Sequence, residues 1–92
     1  MRVDPHRYAN GDNTRWALVG YSDRTEERVS EFAVTRERLI RLRPFFDVAD
    51  DLWFAHCYPV SSDVWPHVRA LLQCGPPVPG VSYFVEGFAT DR

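Results

Sequence analysis

Between Gly75 and Gly80 the chain reads Gly-Pro-Pro-Val-Pro-Gly, and no regular element can be built across that segment. Each proline removes a backbone donor and fixes its own φ, so a helix must end before it and a strand must begin after it. The stretch ahead carries the marks of a helix. Ser62 or Asp63 can cap it, Pro66 falls in the first turn where a missing amide costs little, and Gly75-Pro76 closes it. Val64, Val68, Leu71 and Leu72 recur at helical spacing as its buried stripe. The stretch beyond, residues 81–89, reads as a last strand.

Upstream, residues 15–21 and 28–34 have strand-like patterns on either side of the polar cluster Ser22-Asp23-Arg24-Thr25, which predicts a hairpin. A first helix follows over residues 36–43: Thr35 can cap it, Leu39, Ile40 and Leu42 share one side, and Pro44 stops it. An acidic connection holding Asp47, Asp50 and Asp51 leads into residues 52–60, apolar or aromatic on both phases of the pleat, the pattern of a central strand. Ninety-two residues hold one hydrophobic core. The expectation is an α+β domain over residues 14–92, a four-stranded antiparallel or mixed sheet with two helices packed mainly on one face. The order is strand, strand, helix, strand, helix, strand. Residues 1–13, with Pro5, Asn10, Gly11, Asp12 and Asn13, read as a flexible N-terminal segment.

Hydrophobic residues at 45% and charged ones at 26% are the balance of a folded domain. A formal charge of -2 gives no global attraction to nucleic acid or an anionic membrane. The apolar runs are too short for a bilayer and the N-terminus lacks the apolar core of a signal peptide, so a cytoplasmic protein is expected, with Cys57 and Cys74 unpaired.

No constellation of residues points to catalysis. His56 and Cys57 are adjacent, so on a strand they face opposite ways and cannot share a proton. His67 and Cys74 lie two helical turns apart, roughly 10 Å along the axis, which is not metal-ligand spacing. Ser61-Ser62-Asp63 is the chemistry of a helix start, and Asp47, Asp50 and Asp51 lack the pattern of a calcium loop. Arg36, Arg38, Arg41 and Arg43 make the first helix locally basic, the pattern of a solvated face with cations near the C-terminal end of its dipole. The chain is therefore read as a non-enzyme without metal or cofactor.

The last two strands are more informative. If the phase of Trp53, Ala55 and Cys57 packs on the helices together with Val81, Tyr83 and Val85, the other phase presents Phe54, His56, Tyr58, Phe84, Glu86 and Phe88 on the opposite face. Such a mixture of aromatic and polar groups suits a surface that receives a protein partner, whether foreign or a second copy. Cover by residues 1–13 is the competing reading. A binder of RNA or single-stranded DNA, stacking bases on Phe54, Tyr58, Phe84 and Phe88, is the alternative function, opposed by Glu86 and the acidic net charge.

Three stretches carry a resemblance: Gly20-Tyr21-Ser22-Asp23-Arg24-Thr25-Glu26-Glu27, Cys57-Tyr58-Pro59-Val60 and Tyr83-Phe84-Val85-Glu86-Gly87-Phe88-Ala89. In these the chain resembles a group of short uncharacterised bacterial domains, some of which accompany polymorphic toxin systems as immunity proteins. The resemblance spans residues 16–89 and implies no catalytic residues. What it implies is a protein-binding module that neutralises a toxin.

Overall fold

The computed structural model describes residues 14–89. The expected 1–13 segment and the last residues of the expected domain lie outside them. Strand β1 (Thr14–Ser22) and strand β2 (Arg28–Val34) form the predicted antiparallel hairpin, in register from Trp16 opposite Val34 to Gly20 opposite Ser30. A bulge then brings Tyr21 opposite Arg28. The turn is built by Ser22, whose hydroxyl accepts the amides of Arg24 and Thr25, each at 3.2 Å, while its carbonyl accepts the Glu26 amide at 2.7 Å. Helix α1 (Arg36–Leu42) starts where Thr35 caps it by accepting the Arg38 amide at 3.3 Å. It runs on into a 3-10 turn (Arg43–Phe45), in which Pro44 is accommodated at the first positions rather than ending the helix outright.

Strand β3 (Cys57–Pro59), helix α2 (Trp65–Leu72) and strand β4 (Val81–Ala89) complete the chain. All neighbours are antiparallel in the order β2-β1-β4-β3, so this is the expected α+β class. β4 pairs with β1 from Thr14 opposite Ala89 to Ser22 opposite Val81, which makes β1 and β4 the interior strands. No helix among the described residues is long and apolar enough to cross a membrane.

One expectation is overturned. Residues 52–60 do not form a central strand; only Cys57–Pro59 is extended, and it lies at the sheet's edge. Two physical causes act together. Pro59 has no N–H to give a second neighbour, which suits an edge. Ahead of it the Asp51 carboxylate takes the amides of Ala55 and His56, and Phe54 sits at φ 50, off the β region.

The second helix begins within two residues of Asp63, as expected, but its cap and its C-terminal end differ. Neither Ser62 nor Asp63 caps it through its side chain; the Ser61 carbonyl accepts the amides of Val64 and Trp65, and Val64 is the capping residue. The helix closes at Gln73, left-handed at φ 56, whose amide returns to the Arg69 carbonyl at 2.7 Å, two residues before the expected Gly75.

The core lies on one face of the sheet. Trp16, Leu18, Val34 and Val85 point from the strands into it, met by Leu39 and Leu42 of α1 and by Trp65, Val68 and Leu72 of α2. Ile40, expected to share the buried side of α1, is 43% exposed, and Trp65 takes the place given to Val64 and Leu71, which are only half-buried. Val48 and Phe54, from the connection between α1 and β3, fill the remaining corner. Fully buried Phe54 is the largest side chain below 2% exposure, and it meets Phe46 and Tyr58 edge-on with ring centroids 5.6 and 5.3 Å away. Its carbonyl lies against β4 at Gly87, in the space a side chain there would occupy.

That close approach gives a test. Gly87→Ala must push a backbone carbonyl away and is expected to cost at least about 2 kcal/mol, as overpacking does. Gly80→Ala, at φ 80 with open space around it, carries only backbone strain of about 1 kcal/mol. Urea unfolding of both variants checks the order; equal losses would contradict the packing of Phe54 on β4.

A candidate interaction face and the carboxylate that positions it

The six residues expected on one face do not share it. Cys57 pairs with Glu86 and Tyr58 with Val85, so Tyr58 points to the helix side with buried Val85. Phe54 is in the core, and His56 precedes β3, with a side chain 81% exposed. Of the phase assigned to the helices, Tyr83 and Val85 are placed there, whereas Ala55 and Cys57 are exposed. Trp53 is half-buried on the loop; its carbonyl accepts Trp16 Nε1 at 2.7 Å and its ring takes the guanidiniums of Arg36 and Arg43 at 4.4 and 4.7 Å. Shortening the strand and seating Phe54 inward put residues 53–58 in a register that strand alternation from Leu52 does not give.

Phe84, Glu86 and Phe88 remain together on the open face of β4, all half-exposed. The register sets them beside Val19, Ala17 and Arg15 of β1. These β1 positions, with Tyr21, form the outward phase of a strand whose middle positions are small: Ala17 and Val19 are fully buried at the sheet centre, and larger groups stand around them. Tyr21 donates its hydroxyl proton to Glu86 Oε2 at 2.7 Å and meets Phe84 edge-on at 5.7 Å. At the other end, Glu31 of β2 holds Arg15 at 3.1 Å and Arg28 at 2.9 Å, and both guanidiniums lie over the Phe88 ring, at 4.5 and 5.4 Å. The Glu86 hydrogen bond, with burial adding to it, raises the Tyr21 phenol above its ordinary pKa. The result is a flat surface of three aromatic rings locked by paired charges. Arg15, Tyr21, Arg28 and Glu31 were missed in the sequence, although the alternation of Arg15, Ala17, Val19 and Tyr21 along β1 carried the signal.

Asp51 fixes the loop that leads into β3. Its Oδ1 accepts the Ala55 amide at 2.9 Å; its Oδ2 accepts the His56 amide at 3.2 Å and Tyr58 Oη at 2.5 Å, with His56 Nδ1 at 3.0 Å. Burial by itself raises this carboxyl, but the hydrogen bonds from Tyr58, Ala55 and His56 outweigh it and hold Asp51 below the usual carboxylate range. Tyr58 moves the other way: burial, the hydrogen bond to Asp51 and the charges of Asp51, Asp47 and Asp50 push it up to about 12. The arrangement places an oriented histidine beside a carboxylate. No nucleophile is joined to it by any hydrogen bond among the described residues, and no group of three or more His, Cys, Asp or Glu residues there could hold a metal. Its evident work is to pin the loop.

No protein-family model, curated protein or solved structure matches the chain.

The pH dependence follows from these directions. Asp51 has a folded pKa below its unfolded value of about 4, so its contribution is present above that pH and disappears as pH falls through the folded value. Tyr58 has a folded pKa of about 12, above an unfolded value of about 10, so its contribution is complete below pH of about 10 and is lost as pH rises toward 12. Asp51→Asn should cost about 1–3 kcal/mol at neutral pH, the worth of hydrogen bonds to a charged group, and the gap to wild type should shrink below pH of about 4. Urea titrations at neutral and acid pH measure it; a gap that stays constant would contradict the role given to the carboxylate.

Proposed function

We propose that this domain is a non-enzymatic protein-binding module of the cytoplasm, and that its partner rests on the open sheet face of Tyr21, Phe84, Glu86 and Phe88. The observation that carries the reading is the face itself, with half-exposed aromatic rings held in place by hydrogen bonds and guanidinium contacts on strands against which no helix among the described residues packs on that side. Rigid aromatic groups lose little entropy on binding and recur as the anchors of protein interfaces. Neutralisation of a toxin is the form of this activity that the bacterial resemblance suggests. Exposed Cys57 and half-buried Cys74, both free, suit a reducing compartment. Stacking of nucleic acid bases is the weaker use of the same rings, because Glu31 and Glu86 match Arg15 and Arg28 in charge and leave no basic groove for phosphates.

The test begins with the tagged chain expressed in its native host and the partner identified by mass spectrometry. Affinities for that partner are then measured with Phe84→Ala and Phe88→Ala, after circular dichroism shows both to be folded. Loss of an aromatic anchor costs about 2 kcal/mol or more, so binding should weaken at least about tenfold. Unchanged affinity in both variants would overturn the reading, and affinity for single strands that falls steeply with salt would replace it with the nucleic-acid one.

A further inference from the structure

Trp65, the first residue of α2, is a wall shared by two cavities. It is 9% exposed, and its Nε1 is closed to solvent and has no hydrogen-bond partner. An indole N–H can only donate, and a donor buried without an acceptor is costly. On the β3 side of Trp65 lies a cavity of about 340 Å³, within the size range of small-molecule sites, with Pro59, Val60, Pro77 and Tyr83 also among its walls. On the side of β1 and β2 lies a second, of about 240 Å³, bordered by Leu18, Phe32 and the same Tyr83. Tyr83 stands between them and is held there. Its hydroxyl accepts the Val78 amide at 3.1 Å, and its ring centroid lies 4.8 Å from that of Trp65.

The larger cavity has a uniform chemistry. Among the described residues no Asp, Glu, Arg or His lines it; besides serines, its lining is proline, valine and aromatic residues. A charged ligand would lose its hydration there and meet no counter-charge, whereas a ring would pack on the rings already present. The smaller cavity is bordered by Glu31 and lacks this uniformity.

We infer that the larger cavity is a binding site for a neutral aromatic molecule that carries a carbonyl oxygen, with the ring lying among Pro59, Pro77 and Tyr83 and the oxygen accepting the Trp65 N–H. The cavity on the other side of the indole gives it room to turn that N–H toward the ligand. This site goes beyond the protein-binding reading and does not rest on it, although Phe84 borders both places.

The experiment titrates the isotope-labelled chain with phenylacetamide and follows the backbone amides and the Trp65 indole N–H by NMR. The expected result is a saturable downfield shift of that N–H, with shifts at residues 59–62 and 77–83. Phenylacetate, similar in shape but charged, should bind at least about tenfold more weakly. Toluene, which keeps the ring without the oxygen, should bind about fivefold more weakly than the amide. Trp65→Phe keeps a ring and removes the donor, so it should abolish the preference for the amide while toluene still binds. Ser62→Trp, at an exposed position on the cavity's rim, should block both ligands and answers the question if Trp65→Phe does not fold. Shifts confined to Tyr21, Phe84 and Phe88 would put the ligand on the open face and overturn the cavity site while leaving the protein-partner reading intact. Equal binding of phenylacetate, an amide preference that survives in Trp65→Phe, undiminished binding to Ser62→Trp, or no shift at millimolar phenylacetamide would each overturn it.

Discussion

A single carboxylate shapes the stretch from Trp53 to Tyr58 and with it the placement of Phe54 and Tyr58. Asp51 takes two successive backbone amides that would otherwise belong to a strand ladder, and it takes the Tyr58 hydroxyl as well. With those donors engaged, the chain turns at Phe54, in a left-handed conformation unusual for an aromatic residue, and drives that ring into the core. A residue at such a φ persists only where the surroundings over-determine it, and here they do. The Asp51 backbone carbonyl receives the Phe54 amide, Trp16 Nε1 grips the carbonyl of Trp53, and Gly87 leaves room for the carbonyl of Phe54.

The consequence for the sheet is a division of labour between its faces. One face carries the core, closed by both helices and by the 46–54 connection. The other is furnished by β1, β2 and β4, where Ala17 and Val19 keep the centre thin and the rings of Tyr21, Phe84 and Phe88 stand at its margins with their polar partners. Charges there are used to hold aromatics in place rather than to create a field. This balance is what makes the proposed protein partner a better fit than a polyanion.

The parts of this fold legible in the sequence are those decided locally. The hairpin follows from alternation around a polar turn, α1 from Thr35 and the spacing of Leu39 and Leu42, and α2 from Pro66 and Val68 within reach of a proline-rich stop. Phe84, Glu86 and Phe88 were assigned to a common face correctly, because β4 is a continuous strand and alternation holds along it. Phe54, His56 and Tyr58 were not, because their placement depends on a side chain several residues back competing for backbone donors, which periodicity cannot register. The cap and the C-terminal end of α2 differ for a similar reason: the Ser61 carbonyl and a left-handed Gln73 do the work expected of Asp63 and Gly75, although the helix starts within two residues of Asp63.

The division of the phenylalanines between core and open face is the claim on which the functional reading stands. A soluble paramagnetic probe, added while the ring resonances are followed by NMR, tests it directly. Phe84 and Phe88 should broaden strongly, and Phe54 should be untouched. Broadening of Phe54 to the same extent as Phe84 would mean that residues 52–60 form the regular strand their pattern suggests and that Asp51 does not hold the loop.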